Sequence, residues 1–149
     1  MDTLAVLVAL TLVAIAVLHL AWGSGLCWPA RDQQSLINTV IGHPDVTRMP
    51  GFVLCAAVAF ALLAAAFWAL WGTGLVSGPE VSLFGIGLRD AGLWALVLIF
   101  ASRGLASYLP SPLANAVEPF RTLDRSYYAP LCLLFALAFL AIAVRAAAA

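Results

Sequence analysis

The sequence contains no lysine, and charged residues of every kind are scarce. Asp, Glu, Lys and Arg make up 9% of the 149 residues, 64% are hydrophobic, and the mean hydropathy is +1.06. A soluble domain has roughly 25% charged and 45–50% apolar residues. A chain of this composition cannot cover its surface with polar side chains, so we expect an integral membrane protein.

The basic residues bring no surplus of positive charge. All seven are Arg, and seven acidic residues balance them. Binding to nucleic acid requires clustered cations that neutralise backbone phosphates. We therefore expect no nucleic-acid partner and expect membrane lipids to surround the chain.

Motifs typical of metal, cofactor and hydrolytic sites are also missing. Cys27, Cys55 and Cys132 form no C-x-x-C pair, and their spacing with His19 and His43 matches no metal site. The chain contains no G-x-S-x-G, no H-E-x-x-H and no Gly-rich phosphate loop. The sequence therefore predicts neither a metal nor a cofactor.

Long apolar segments are abundant. A spanning helix needs about 20 mostly apolar residues, and four segments qualify, at about 3–22, 51–71, 84–109 and 127–144. We expect an all-α, four-transmembrane-helix bundle that forms one domain over residues 1–149. The first segment lacks the basic start of a secretory signal, so we expect it to be retained. We expect Pro110 and Pro112 to end the third span, and Pro130 to lie in the first turn of the fourth.

The connections between the segments are unequal. Residues 23–50 and 110–126 form two long connections on one side of the bundle, here called the long-loop face, and residues 72–83 lie on the opposite, short-loop face. Five of the seven Arg residues lie on or near the long-loop face: Arg31, Arg48, Arg103, Arg121 and Arg125. The positive-inside rule predicts cytoplasmic long loops and external termini. The Arg-only, Ala-rich composition indicates a GC-rich bacterial genome, so we expect the bacterial cytoplasmic membrane.

The first long connection contains a short amphipathic segment. Residues 31–41 place four apolar side chains on one helical face: Leu36, Ile37, Val40 and Ile41. Gly42 and Pro44 then end the pattern. We expect a short interfacial helix that lies in the headgroup plane.

The second span carries a stripe of small residues at every fourth position: Ala57, Ala61, Ala65 and Ala69. Small residues let helices approach closely in lipid. The stripe predicts packing in the bundle centre or a contact with a second copy or a partner membrane protein, and the sequence leaves both open.

Two ionisable residues lie inside the predicted spans near the long-loop face. His19 is one turn inside Trp22 and is either a functional group or an imidazole bonded to a carbonyl. Arg103 either pairs with Asp124 or Glu118, or binds an anionic ligand or lipid headgroup with its paired donors.

Two further polar groups carry expectations. Arg89 and Asp90 are neighbours that project about 100° apart on a helix, so we expect different partners for them and place Arg89 near Glu80. The polar run 120–130 either caps span four through Asp124 or Ser126, or forms a lid over a cavity between the spans.

Several short motifs resemble a family of small bacterial integral membrane proteins catalogued as a domain of unknown function. They are His19-Leu20-Ala21-Trp22-Gly23, Trp28-Pro29, Gly42, Pro50-Gly51 and the run Asp124-Arg125-Ser126-Tyr127-Tyr128-Ala129-Pro130-Leu131-Cys132. The resemblance covers nearly the whole chain and implies a four-helix membrane fold. It implies no activity and no catalytic residue.

The first hypothesis is a protein that binds a lipid or a lipophilic, anionic small molecule at the long-loop face. Arg103 and Arg125 would meet the anionic head, and His19 would line the entrance with the aromatic side chains. The complete set of ligand-binding candidates is Arg103, Arg125, Trp22, Trp28, His43 and Arg121.

Two alternatives stay open. The chain is a membrane-embedded enzyme that uses His19 as general acid or base, with Asp124 or Tyr127 as its partner. Otherwise it is an accessory subunit that packs against another membrane protein through the alanine stripe. A proton-coupled transporter is disfavoured, because spans one, two and four have no acidic residue in their middles.

Overall fold

Each of the four apolar segments forms a helix in the computed structural model, which describes residues 1–83, 85–109 and 116–148. The elements are α1 (Asp2–Gly23), α2 (Gln33–Val40), α3 (Phe52–Gly72), strands β1 (Ser82–Leu83) and β2 (Ile86–Gly87), α4 (Leu88–Ala106), α5 (Phe120–Leu123), a π-helical turn (Asp124–Tyr128) and α6 (Ala129–Ala147). The strands form a short antiparallel hairpin that pairs Ser82 with Gly87. The chain is mostly helical, as predicted.

Within the described part of the chain, three helical segments are long and apolar enough to cross a membrane: Asp2–Gly23, Phe52–Gly72 and the continuous helix Phe120–Ala147. They correspond to the first, second and fourth predicted spans and agree with the prediction of a membrane protein. α4 has 19 residues, but three charged side chains fall within this short length, and it is not one of the three segments.

Two predicted helix starts differ from the structure. α4 begins at Leu88, because the β1–β2 hairpin occupies the residues before it. The predicted start at Phe84 and the expected helix-ending residues Pro110 and Pro112 lie outside the described residues. The last helix begins at Phe120 instead of near Tyr127. The wider π turn lets helical backbone continue past Pro130, whose missing N–H and bulky ring are incompatible with regular α-helix before it.

The long helices pack in pairs through small residues, α1 on α3 and α4 on α6. A Cβ atom on Gly23 would lie 2.8 Å from the Cβ of Cys55, and one on Gly104 would lie 2.7 Å from the side chain of Leu133. Small residues allow such close backbone approach between helices in membranes. Buried side chains from all four long helices form the core between the pairs, among them Leu12, Ala66, Leu93, Phe139 and Ile142.

The helix predicted in the first long connection is confirmed as α2. The carboxylate of Asp32 caps it by accepting a hydrogen bond from the backbone N–H of Ser35 at 2.8 Å. Leu36 and Ile37 are buried within the protein, because this face of α2 packs toward α5. These two apolar side chains therefore pack within the protein, and the position of α2 in the headgroup plane stays a prediction.

The alanine stripe of α3 is divided. Ala65 and Ala69 are buried against the other helices, whereas Ala57 and Ala61 are exposed on the single chain. The packing face of the N-terminal half of α3 runs through Cys55 instead. The stripe is thus half in the bundle interior, and its other half is open to lipid or to another protein.

Candidate functional site

His19 is held in place by its own helix near the end of α1. Its Nδ1 lies 2.8 Å from the carbonyl oxygen of Ile15, and its ring lies 5.1 Å from that of Trp22. Since a carbonyl only accepts, Nδ1 is the protonated nitrogen in this contact, and in the neutral ring Nε2 is then an acceptor. The indole N–H of Trp22 donates to the carbonyl of Trp28 at 2.8 Å. The last turn of α1 is thereby tied to the connection that follows it.

His19 and Trp22 line a cavity of about 160 Å³ at the long-loop face. The other walls are apolar and come from the end of α2, the start of α3 and the chain between them, with Val40, Ile41, Met49, Pro50, Leu54, Cys55 and Val58 as the lining residues. Leu54 and Val58 are 64% and 44% exposed. The cavity is therefore lined in part by exposed side chains of α3.

The size and lining of this cavity limit what fits there. Complete small-molecule pockets measure about 300–1,000 Å³, whereas a dry apolar cavity of about 150 Å³ holds a single benzene ring. A volume of 160 Å³ thus accepts one ring or a short length of chain. His19 supplies a polar contact in otherwise apolar walls, which is the pattern of a site for part of an amphiphile.

A second polar cluster lies between α4 and the π turn. The Nη2 atom of Arg103 lies 2.6 Å from Oδ1 of Asp124, and its Nη1 donates to the hydroxyl of Ser107 at 3.0 Å. Asp124 is only 3% exposed. The structure thus shows the pairing alternative for Arg103. Asp124 caps no helix, because its carboxylate is turned into this ion pair, and Ser126 provides no cap either.

The π turn also explains a contact of Arg125. Its carbonyl lies five residues before Pro130, which has no N–H to donate to it. The hydroxyl of Tyr108 donates to this carbonyl at 2.8 Å. The Nε atom of Arg125 donates to the carbonyl of Ser107 at 3.3 Å, so both Arg side chains predicted to meet an anion bind Ser107 instead. π turns of this kind occur frequently at functional sites.

The predicted site residues therefore fall into two groups. His19 and Trp22 meet at the cavity, while Arg103, Asp124 and Arg125 meet in the second cluster. The acid/base pairing of His19 with Asp124 is not what the contacts show, because each has another partner.

The remaining predicted residues lie at the surface. Tyr127 and Trp28 are exposed, Arg121 is exposed on α5, and Nδ1 of His43 lies 3.8 Å from the carboxylate of Asp45. Across residues 1–83, 85–109 and 116–148 no three His, Cys, Asp or Glu side chains are grouped to hold a metal ion.

Sequence reasoning missed most of the cavity wall. Met49, Leu54 and Val58 carry no pattern that distinguishes them from other apolar residues, and their role depends on how α1 and α3 meet. Cys55 lies buried against Gly23 and lines the cavity, a place that its sequence context does not predict. The close packing of Gly23 on Cys55, which is visible only in the structure, places the start of α3 beside His19.

At the short-loop face, the expectation that Arg89 and Asp90 have different partners is wrong. Arg89 and Asp90 contact each other, with Nε of Arg89 lying 3.2 Å from Oδ1 of Asp90. Neighbouring side chains start about 100° apart on a helix, but the Arg89 side chain is long enough to reach the carboxylate of Asp90. Nη2 of Arg89 also donates to the carbonyl of Ala146 at 3.5 Å, near the negative end of the α6 dipole.

Comparison with known proteins identifies one family. The family model described as "Protein of unknown function (DUF3995)" matches residues 12–139, a range that contains the cavity-lining residues and the second polar cluster. No curated protein and no solved structure matches the chain.

Proposed function

The chain belongs to the family of proteins of unknown function DUF3995, and from its geometry we propose that it is a four-helix membrane protein that binds a lipophilic molecule at the long-loop face. The cavity beside His19 is the observation that carries this proposal. The proposed ligand is an amphiphile whose apolar part enters the cavity and whose polar end meets His19.

In the proposed arrangement α4 is the fourth span. Its 19 residues correspond to about 28 Å at 1.5 Å per residue, which is close to the roughly 30 Å hydrocarbon thickness. Charges within a span are costly unless they are paired. Arg103 is paired with Asp124, and Arg89 with Asp90, so the charges that set α4 apart from the other helices are compensated.

The opening of the cavity favours a ligand that arrives from the bilayer. Leu54 and Val58 lie on the outer side of α3, where a membrane-spanning helix meets lipid. An apolar chain can therefore slide into the cavity without crossing water. This route favours a lipid or another membrane-dissolved molecule over a water-soluble metabolite.

His19 is the proposed contact for the polar end of the ligand. In its neutral form Nε2 accepts from a hydroxyl, and in its protonated form the same atom donates to an anionic group. Arg48 is exposed and directly precedes the lining residues Met49 and Pro50, which favours an anionic head. Arg103 is not used in this role, because Asp124 already accepts from its guanidinium.

The proposed surroundings are the bacterial cytoplasmic membrane, with the long loops in the cytoplasm. The Arg distribution in the sequence supports this orientation. The exposed residues Ala57 and Ala61 offer a flat surface for a second copy or a partner, which is the second proposal for this face of α3.

Native mass spectrometry in mild detergent tests the binding proposal. We expect wild-type protein to retain a non-covalent lipophilic adduct and Val58→Trp to lose it, because the indole fills the cavity. Val53→Trp is the matched control, since Val53 is an exposed residue of the same helix that does not line the cavity. Equal adduct occupancy in Val58→Trp and wild type would rule out this cavity as the site.

A further inference from the structure

A second and larger cavity lies at the short-loop face, away from the proposed lipophilic site. It has a volume of about 380 Å³ and is formed by the end of α3, the β1–β2 hairpin and the first turn of α4. Its volume falls within the roughly 300–1,000 Å³ of small-molecule sites. Trp71, which lines it, is 17 residues along α3 from Leu54, or about 25 Å at 1.5 Å per residue. The two cavities are therefore separate.

The indole of Trp71 is a fixed wall of this cavity. It is buried, and it lies 5.6 Å from the rings of both Phe67 and Trp68. Gly78 lies directly against the indole, since a Cβ atom there would collide with the ring. The aromatic surface is thus held in one orientation before any ligand binds.

More negative than positive charge lines this cavity. Glu80 and Asp90 contribute two carboxylates, and Arg89 contributes one guanidinium. The guanidinium is occupied by Oδ1 of Asp90 and by the carbonyl of Ala146. Oδ2 of Asp90 lies beside Gly87, another lining residue, and Glu80 is exposed at the rim. Accepting oxygens and one net negative charge are left for a ligand.

We propose that this cavity binds an organic ammonium group between Glu80, Asp90 and the indole of Trp71. A cation gains from the excess carboxylate charge, and an indole attracts ammonium groups more strongly than the other aromatic side chains do. An anion would meet two carboxylates and a guanidinium that is already bonded. This inference does not rest on the proposed lipophilic site.

An ammonium group can come from an aminophospholipid headgroup or from a free amine in solution. Two arms of one experiment distinguish them. Ethanolamine is titrated by calorimetry into protein held in a non-ionic detergent, and native mass spectrometry counts phosphatidylethanolamine bound from mixed nanodiscs with phosphatidylglycerol. Binding in both arms indicates a site for free amines, and binding in the lipid arm alone indicates a headgroup site.

Charge variants test the assignment in opposite directions. Glu80→Gln should weaken ammonium binding about fivefold, the effect of removing one exposed charge partner worth about 1 kcal/mol. Arg89→Gln should strengthen it, because Asp90 loses its bound cation. Glu118→Gln is the matched control, since it removes an exposed carboxylate near the long-loop face, and it should leave binding unchanged.

The proposal is wrong if neither probe binds wild type saturably, if the affinity is unchanged in Glu80→Gln, or if Glu118→Gln loses as much affinity as Glu80→Gln. Val58→Trp provides the link to the other cavity. If it loses the lipophilic adduct while ammonium binding stays at the wild-type level, the two sites are independent, and if ammonium binding falls with it, the assignment to the short-loop cavity is wrong.

Discussion

At the scale of single residues, the ion pair between Arg103 and Asp124 is the most consequential contact. The carboxylate is almost fully buried and its short bond to the guanidinium joins α4 to the π turn. Replacing one partner of a buried pair leaves the other charge uncompensated, whereas apolar replacement of both is often tolerated. The energetic cost therefore lies in breaking the pair, and not in the absence of charge.

We predict that Arg103→Met destabilises the protein by about 3–5 kcal/mol. The double variant Arg103→Met, Asp124→Leu should recover most of that loss. Unfolding free energies measured by denaturant titration in detergent micelles check this, with Arg145→Met as an exposed control near the end of α6. A double variant no more stable than Arg103→Met would show that the pair is not the source of the loss.

His19 makes the second prediction at this scale. His19→Phe keeps a flat ring beside Trp22 but removes the nitrogen proposed to meet the ligand. We expect the affinity for the adduct, read from its occupancy in native mass spectra, to fall about twofold to twelvefold, the equivalent of one hydrogen bond of about 0.5–1.5 kcal/mol. Unchanged occupancy would mean that the ligand binds through apolar contacts only.

Some features of single residues could be predicted from the sequence, and others could not. The position of His19 one turn inside Trp22, and the pairing option of Arg103, follow from hydropathy and residue type. The contact between Arg89 and Asp90 was missed, because the direction of neighbouring Cβ atoms says little about where a long Arg side chain ends. The wall residues Met49 and Val58 were missed because only the docking of α1 on α3 makes them neighbours of His19.

At the scale of elements, the π turn is the most informative feature. It lies in the middle of the polar run 120–130 and joins α5 to α6 in one continuous helix. It widens the backbone at Asp124–Tyr128, so that the last helix passes Pro130 without a break. The carbonyl of Arg125, five residues before Pro130, accepts a hydrogen bond from the hydroxyl of Tyr108, just past the end of α4. The irregular turn of the last helix thus takes part in a hydrogen bond to the chain at the end of α4.

A double-mutant cycle tests this link. Tyr108→Phe should cost about 0.5–1.5 kcal/mol in the wild-type background, because the Arg125 carbonyl loses its donor. In Pro130→Ala the new N–H supplies a backbone donor, so the same substitution should cost much less. The unfolding free energies of the four proteins give the coupling, and an equal cost of Tyr108→Phe in both backgrounds would contradict the explanation.

The divided alanine stripe gives a second prediction for an element. Ala65→Leu should destabilise the bundle by about 1–3 kcal/mol, because it overpacks a filled interior. Ala61→Leu adds an exposed side chain and should leave the thermal midpoint of the single chain unchanged. Elution volumes report the oligomeric state in parallel. A fall in the midpoint for Ala61→Leu without a change in elution volume would contradict the observed packing.

Helix positions were predictable where hydropathy changes sharply, and helix ends were not. α1 and α3 lie close to their predicted ranges, since long uncharged runs leave no alternative. The early start of the last helix at Phe120 was hidden, because Pro130 and the charged run before it look like a helix boundary unless a π turn is allowed. The apolar face of α2 packs inward because α5 covers it. The periodicity of α2 alone cannot predict this contact, since it depends on a distant part of the chain.

At the scale of the whole molecule, a four-helix membrane protein requires α4 to cross the membrane. Ser77 and Thr122 then lie on opposite sides, at the short-loop and long-loop faces. With Cys27, Cys55 and Cys132 replaced by Ala, an impermeant maleimide applied to intact bacterial spheroplasts should label Ser77→Cys and spare Thr122→Cys. Permeabilised cells provide the control for reactivity. Labelling of both variants from one side would contradict the fourth span.

Binding of a lipophilic molecule beside His19 is tested by locating a bound molecule on the chain. A fatty acid with a photoreactive diazirine is crosslinked to the protein in nanodiscs, and peptide mass spectrometry maps the attachment. We predict saturable crosslinks concentrated at residues 19–22 and 49–58, and their loss in Val58→Trp. Crosslinks spread evenly over exposed apolar positions such as Phe60 and Leu98, and unchanged in Val58→Trp, would contradict the claim.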